Sequence, residues 1–254
     1  MRGGLREKGY FKTCVADRPL ISIITVVYNG AESIEDTIVS VIRQPYENVE
    51  YIVIDGLSTD GTIDIIKKYE DAIDFWLSEK DEGIYDAMNK AAEVAAGKWL
   101  MFINAGDKLL HIDERSLFAP FTTKTCHVYS VKDKRLFRNP LTKTYLTRNT
   151  PCHQSVQYLK SEFKLFDLEY GLDADYEQMT RIVSNSLLGC YSESIVYFDA
   201  PGASSALSKN SMFSSYYKRM TTLRKNTSIW YFLLCGLHYF RRVICTAFTR
   251  KFNV

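Results

Sequence analysis

A chain of 254 residues with 46% apolar, 24% charged and 13% aromatic side chains has a globular composition, which excludes disorder and collagen-like structure and suits one large domain or a core with an appendage. The formal net charge of +2 hides an asymmetry, because residues 1–200 carry 23 basic and 30 acidic side chains while residues 201–254 carry 9 basic and none acidic. An acidic body with a basic tail points to an anionic surface as partner and away from nucleic acid, whose recognition motifs are absent.

The N-terminal stretch, residues 1–19, lacks the apolar run of a signal peptide, which argues against export by that route, and reads as an extension. From there the chain alternates. Leu20 to Tyr28, Val49 to Asp55, Ile73 to Ser78 and Trp99 to Asn104 read as strands, three of them near-continuous apolar runs of the kind that both-sided burial in a parallel sheet demands. Between them, Ile34, Ile38, Val41 and Ile42 form one helical stripe, and Ile63, Ile66, Tyr69 and Ile73 a second. A third helix is predicted from Ile84 to Ala96, with Gly97 as its C-cap. The order βαβαβαβ with right-handed crossovers predicts a doubly wound α/β sheet with helices on both faces.

Ligands of such sheets bind outside the carboxyl ends of the strands. The residues found there are Tyr28-Asn29-Gly30, Asp55-Gly56, Glu79-Lys80-Asp81 and Asn104-Ala105-Gly106-Asp107, so several strands deliver a carboxylate to one edge. Beyond Lys108 the periodicity weakens. Residues 124–148 hold seven basic side chains and one acid among aromatics, which reads as a solvated hairpin or as a surface that meets phosphate. Residues 173–184 read as a helix with Asp173 or Asp175 near its start, in which ~100° per residue sends Asp173 and Glu177 toward other faces than Asp175, and residues 210–225 read as a basic helix. The six cysteines lie far apart, without CxxC pairs, and read as reduced thiols of a cytosolic protein. The longest apolar run, Ile229 to Phe240, ends at Arg241-Arg242 and is shorter than the ~20 residues a spanning helix needs. Flanked by Lys209, Lys218, Arg219, Arg224, Lys225, Arg250 and Lys251, it reads as a helix lying on a membrane surface or as one packed on the protein's own core or a dimer partner.

Neither GxGxxG nor GxxxxGK[ST] occurs, so the usual phosphate cradles of dinucleotide oxidoreductases and P-loop enzymes are missing. Acidic strand ends suit instead a divalent cation that bridges to a diphosphate, since Asp55, Asp81 and Asp107 would otherwise repel it.

The stretch SIITVVYNGAESIEDTIVSVIRQPYENVEYIVIDGLSTDGT, followed by SEKDEGIYDAMNKAAEVAAGKWLMFINAGD, resembles the N-terminal half of the family 2 glycosyltransferases of the GT-A fold, closest to bacterial exopolysaccharide enzymes of the colanic acid type. TPCHQSVQYLKSEFKLFDLEYGLDADYEQMTRI is similar to the acceptor half, and YFDAPGASS to a later Gly-Ser segment. The resemblance implies a GT-A, Rossmann-like mixed sheet over residues 20–208, with a nucleotide-binding half (20–107) and an acceptor half (108–208), followed by basic and apolar C-terminal helices over residues 209–254.

It also implies roles. Thr25, Val27 and Tyr28 line the nucleotide base, Asp55 accepts a hydrogen bond from the base ring, and Asp81, Asn89 and Asn104 belong to the donor pocket. His153 and Gln154 border donor and acceptor, Asp107 holds Mg²⁺ or Mn²⁺, and Asp175 is the catalytic base. Asp60 is expected to cap a helix, and Gly106 stands where relatives often carry a metal-ligating acid. The implied activity is inverting transfer of a sugar from a nucleotide-diphospho-sugar (UDP, with GDP or dTDP as alternatives) to a lipid-linked or oligosaccharide acceptor, at the cytoplasmic face of the membrane and in an oligomeric state left open. Gly106 leaves a second reading, a nucleotide-sugar-binding or scaffolding subunit without transfer activity.

Overall fold

The computed structural model describes residues 1–118, 123–130, 134–138, 142–146, 149, 152–185, 188–198, 219–222, 224–226, 230 and 233. The predicted alternation becomes β1 (Arg2–Gly3), β2 (Ile21–Val27), α1 (Ile34–Ile42), β3 (Val49–Asp55), α2 (Thr62–Lys68), β4 (Phe75–Ser78), α3 (Ile84–Val94) and β5 (Trp99–Phe102). The second half adds β6 (Lys108–His111), β7 (Thr123–Ser130), β8 (Arg135–Arg138), α4 (Lys143–Leu146), β9 (Val156–Leu159), α5 (Ala174–Asn185) and β10 (Leu188–Phe198). One sheet runs through both halves in the order β1-β4-β3-β2-β5-β9-β7-β10-β6, with β8 paired to β7.

β4, β3, β2 and β5 are parallel, whereas β9 is antiparallel to both β5 and β7, and β1 caps the free edge of β4. The chain moves outward from β2 to β4 and then returns to place β5 on the other side of β2. That reversal makes the carboxyl ends of β2 and β5 the topological switch point, the place where open α/β sheets bind ligands.

Alternation along β2 splits the core. Ile24 and Val26 face a layer made by α3 and α5, while Ile21, Ile23 and Val27 face α1 and α2. Both layers are built of buried side chains, and each fully buried aliphatic one contributes roughly 1.5–3 kcal/mol. The two-sided burial explains why β2 and β3 are apolar without interruption, and it matches the GT-A-type architecture expected above.

Several boundaries differ from expectation. α2 stops at Lys68, and Ile73 packs into the core from the following loop rather than continuing the helical stripe. α3 ends at Val94 with Ala95 already extended, so Gly97 is not its C-cap. Gly97 is glycine because a Cβ there would come within 2.6 Å of the Ser22 backbone nitrogen. The 1–19 segment is not a loose appendage over its first residues: β1 pairs with β4, the Met1 ammonium donates to the Ser78 carbonyl at 2.7 Å, and the Arg6 guanidinium pairs with buried Glu50. β7 and β8 do form a hairpin, but β7 also lies between β9 and β10 inside the sheet, so this is not a solvated ribbon. The remainder of the basic 124–148 stretch, the Gly-Ser segment after Phe198 and most of residues 209–254 lie outside the described residues.

Candidate active site at the carboxyl edge of the sheet

Asp55 ends β3, in register with Val27 of β2 and Ser78 of β4, and is fully buried. Its Oδ2 accepts from the Ser58 backbone N–H at 3.0 Å and from the Ser78 hydroxyl at 2.7 Å. Its Oδ1 is buried and has no hydrogen-bond partner. A buried carboxylate oxygen without a donor is costly, and this one lies at the carboxyl end of β3.

Asp81 lies directly over the next residue, because a Cβ on Gly56 would meet its Oδ2 at 2.5 Å, and its Oδ1 accepts from Gly83 N–H at 3.0 Å. Tyr28 follows β2 at the same edge and is 67% exposed. Thr25, expected against a base, is fully buried; its hydroxyl donates to the Ile103 carbonyl at 2.8 Å and accepts from Tyr51 at 3.0 Å. Val27 is buried in the layer under α1.

The two loops flanking this carboxylate are tied together. Asn29, in left-handed backbone at φ 48°, donates its N–H to Ser58 Oγ and accepts from Thr59 N–H through its side chain. Asp60 accepts from Ala31 N–H, Thr62 N–H and the Thr62 hydroxyl, and the Thr62 hydroxyl is the largest cause of its lowered pKa. Asp60 therefore braces the start of α2, as expected, and also clasps the loop after β2.

After β5, residues 104–107 make a tight turn in which Asp107 N–H donates to the Asn104 carbonyl at 3.0 Å. Gly106 sits at φ 96°, a conformation that penalises any side chain. Thr37 of α1 locks the turn, accepting from Gly106 N–H at 3.0 Å and donating to the Asp107 carbonyl at 2.7 Å. The left-handed backbone at Gly106 is a conformational reason for glycine at this position.

A short 3-10 turn over His153–Ser155 meets this turn with two consecutive side chains. Gln154 Nε2 donates to Asp107 Oδ2 at 2.7 Å, and Asn104 Nδ2 lies 2.9 Å from His153 Nε2 while the buried Asn104 Oδ1 has no partner. On the opposite side of the ring, His153 Nδ1 is 3.6 Å from Asp175 Oδ2 in the first turn of α5. Asp173 pairs instead with Arg219, and Glu177 with Arg181, so the three neighbouring acids do diverge.

Tyr85 and Tyr158 also face Asp175: burial first, then the Asp175 charge, pushes both phenols far above their usual pKa. Neither tyrosine was singled out in the sequence, although Tyr85 lies in the GIYDAMN stretch and Tyr158 five residues after His153.

Asn89 is placed otherwise than expected. Both ends of its amide are used on the Phe166 backbone, at 2.9 and 2.8 Å, so it clamps the 163–167 segment onto α3 rather than presenting a group to the donor pocket.

Among the described residues no three His, Cys, Asp or Glu side chains converge. That donor set does not fit a cation caged by protein alone. It does fit a hard cation that takes one carboxylate, Asp107, and completes its shell with substrate phosphates and water.

Taken together, the sheet order and the helices on both of its faces define a GT-A-like α/β protein. The profile of the family described as glycosyl transferase family 2 matches residues 22–181, and the chain belongs to that family. A Mycobacterium bovis PGL/p-HBAD biosynthesis glycosyltransferase is 30% identical over 185 residues, covering 67% of this chain and 72% of that protein. The Bacillus subtilis protein TuaG, named as a candidate glycosyltransferase of teichuronic acid biosynthesis, is 42% identical over 94 residues, but these are only 36% of this chain and 37% of TuaG. Among solved structures, Staphylococcus aureus TarS 1–349 in complex with UDP-GlcNAc superposes with a TM-score of 0.63 at 16% identity, over 80% of this chain and 66% of that one. The Pyrobaculum calidifontis mannosyltransferase with GDP-Man and Mn²⁺ gives 0.54 at 19% identity, over 86% and 67%. At these identities both structural likenesses speak to the fold alone.

Proposed function

We propose that the protein is an inverting glycosyltransferase that moves a sugar from a nucleotide-diphospho-sugar to a saccharide hydroxyl in the assembly of a bacterial surface polysaccharide or glycolipid. The observation that carries the reading is the buried, unpartnered Oδ1 of Asp55, set at one end of a carboxylate-lined edge whose other end holds Asp175. Asp55 Oδ1 takes the ring N–H of uracil, thymine or guanine, each of which offers a donor there, and Tyr28 covers the base. Asp81 borders the ribose or sugar. Asp107 is the residue that would hold Mg²⁺ or Mn²⁺. When bound, such a cation supplies neutralisation of the charge that develops on the departing diphosphate.

Asp175 accepts the proton of the acceptor hydroxyl while that oxygen forms its bond to the anomeric carbon. The bond from that carbon to the diphosphate oxygen breaks on the opposite face, the electron pair leaves with the diphosphate, and the anomeric configuration inverts. Tyr85 and Tyr158, kept protonated by burial, bound the carboxylate on its protein side, and His153 stands beside it. The colanic-acid-type subgroup is supported by the Asn104-Ala105-Gly106-Asp107 turn. The left-handed backbone at Gly106 gives glycine a conformational role there that is compatible with an active site in which Asp107 is the acid of this turn.

A lipid-linked acceptor on the inner face of the membrane is supported by the nine cations and absence of acids over residues 201–254 and by Trp230, which is helical and 72% exposed. Among the described residues no helix is long and apolar enough to cross a membrane, which suits peripheral attachment. The tests are direct. Asp175→Asn should abolish transfer and leave nucleotide diphosphate affinity nearly unchanged, and full activity in that variant would refute the assignment. Truncation of residues 226–254 should release the protein from anionic vesicles, and unaltered vesicle binding would refute the role of the tail. Titration with UDP, GDP, dTDP and CDP in Mn²⁺ identifies the nucleotide.

A further inference from the structure

The turn that carries Asp107 and the helix that carries Asp175 are joined by one side chain, His153, whose two ring nitrogens face different partners. Nε2 is 2.9 Å from Asn104 Nδ2, and Nδ1 is 3.6 Å from Asp175 Oδ2. An amide nitrogen only donates, so Nε2 must be the acceptor, and the single proton of a neutral ring then resides on Nδ1, directed at the carboxylate. Turning the Asn104 amide over does not rescue the other tautomer. Nε2 would then have to donate to the amide oxygen, and the neutral ring would present its Nδ1 lone pair to a carboxylate.

The ring is held in place. His153 and Asp175 side chains are 14% and 13% exposed, and the neighbouring Gln154 is anchored on Asp107 at 2.7 Å. At 3.6 Å the His153–Asp175 approach is longer than a hydrogen bond, and catalytic hydrogen bonds commonly tighten in the complex with substrates.

We propose that His153 is a positioning residue: Asn104 fixes it as the Nδ1–H tautomer, and that N–H aims the Asp175 carboxylate at the acceptor hydroxyl. This rests on the reading of Asp175 as base. Because Asn104 and Asp107 share one turn, and His153 and Gln154 share another, the same pair of turns joins the donor side to the base. A donor that presses on the 104–107 turn therefore also acts on the ring that orients Asp175.

Two measurements on the full chain test the proposal. Long-range ¹H–¹⁵N spectra of histidine-labelled protein, assigned by the loss of one ring in His153→Ala, should show His153 with a protonated Nδ1 and a bare Nε2. Imidazole in water prefers the reverse, and Asn104→Ala should restore that ordinary preference. A His153 protonated on Nε2 alone overturns the proposal whatever the kinetics show.

Release of nucleoside diphosphate from UDP-GlcNAc, UDP-glucose and GDP-mannose with Mn²⁺ supplies the second readout. His153→Ala should lower kcat about 10- to 100-fold, the ordinary effect of losing a hydrogen bond to a charged group, with donor KM little changed. His153→Asn should recover much of that loss, because its amide nitrogen occupies the place of Nδ1, whereas His153→Gln should not. If Asp175→Asn is inactive while His153→Ala equals the wild type, the positioning role falls and the base assignment stands. If Asp175→Asn is fully active, the base assignment itself falls.

Discussion

Replacing Asp55 by Asn separates binding from stability in a way few substitutions at this edge can. The amide oxygen can keep both internal bonds, from Ser58 N–H and Ser78 Oγ, so the new NH₂ takes the position of the unpartnered Oδ1. In the free protein this exchanges a buried charge with one unsatisfied oxygen for a neutral group, and the melting temperature should hold or rise. With UDP, the base N–H now meets another donor. A hydrogen bond to a charged group is worth about 1.5–3 kcal/mol, so affinity should fall about 10- to 150-fold. CDP should move the other way relative to UDP, because the cytosine ring nitrogen is an acceptor that a carboxylate repels and to which an amide N–H donates.

Asp55→Ala is the contrasting variant. It strands two donors at about 1–3 kcal/mol each, and at about 2–4 °C per kcal/mol for a chain of this size it should melt several degrees lower. Calorimetric titration with UDP and CDP, beside thermal melts without ligand, reads both effects. An Asp55→Asn protein with unchanged UDP affinity and an unchanged UDP-to-CDP ratio would refute the base-facing role.

Asn89→Ala should destabilise the protein by about 1–3 kcal/mol through loss of the Phe166 clamp while leaving UDP affinity intact, as urea midpoints and titration would show. A selective loss of nucleotide binding would return Asn89 to the donor pocket. Gly106→Ala should cost about 1–2 kcal/mol from its left-handed backbone alone, since the added methyl has room with Ser33 no nearer than 3.9 Å, and Mn²⁺-dependent UDP binding should weaken as the turn shifts. Thr37→Val, which leaves Gly106 N–H unpaired, should weaken metal-dependent binding likewise. Burial raises the phenol pKa of Tyr51, Tyr85 and Tyr158 above the ~10 of an unfolded chain. The stability this represents is complete below pH ~10 and is lost as pH rises beyond it, because the unfolded chain releases those protons first. Absorbance near 295 nm should therefore show these three ionising only together with alkaline unfolding; phenolate formation by Tyr158 in the folded state, tested with Tyr158→Phe, would contradict the burial argument.

Local chemistry made much of this molecule legible from its residues. The apolar runs of β2 and β3 and the stripe of α1 follow from periodicity and from the need to cover both faces of a parallel sheet, and the acids just past the strands were legible as residues of one sheet edge. The spacing of Asp173, Asp175 and Glu177 sufficed to send them apart, because a helix turns ~100° per residue. What a sequence does not carry is which polar groups find one another across distant segments. Gly97 looked like a helix cap and is a point of close approach to Ser22; Asn89 looked like a pocket residue and is spent on Phe166, 77 positions away. Thr25 turned inward because its hydroxyl satisfies Ile103 and Tyr51. The unpartnered oxygen of Asp55 and the line from Asn104 through His153 to Asp175 are likewise properties of the assembled sheet. Periodicity places a side chain on a face, but burial removes water as a partner, and only the folded chain decides which buried donor meets which acceptor and which is left open for a substrate.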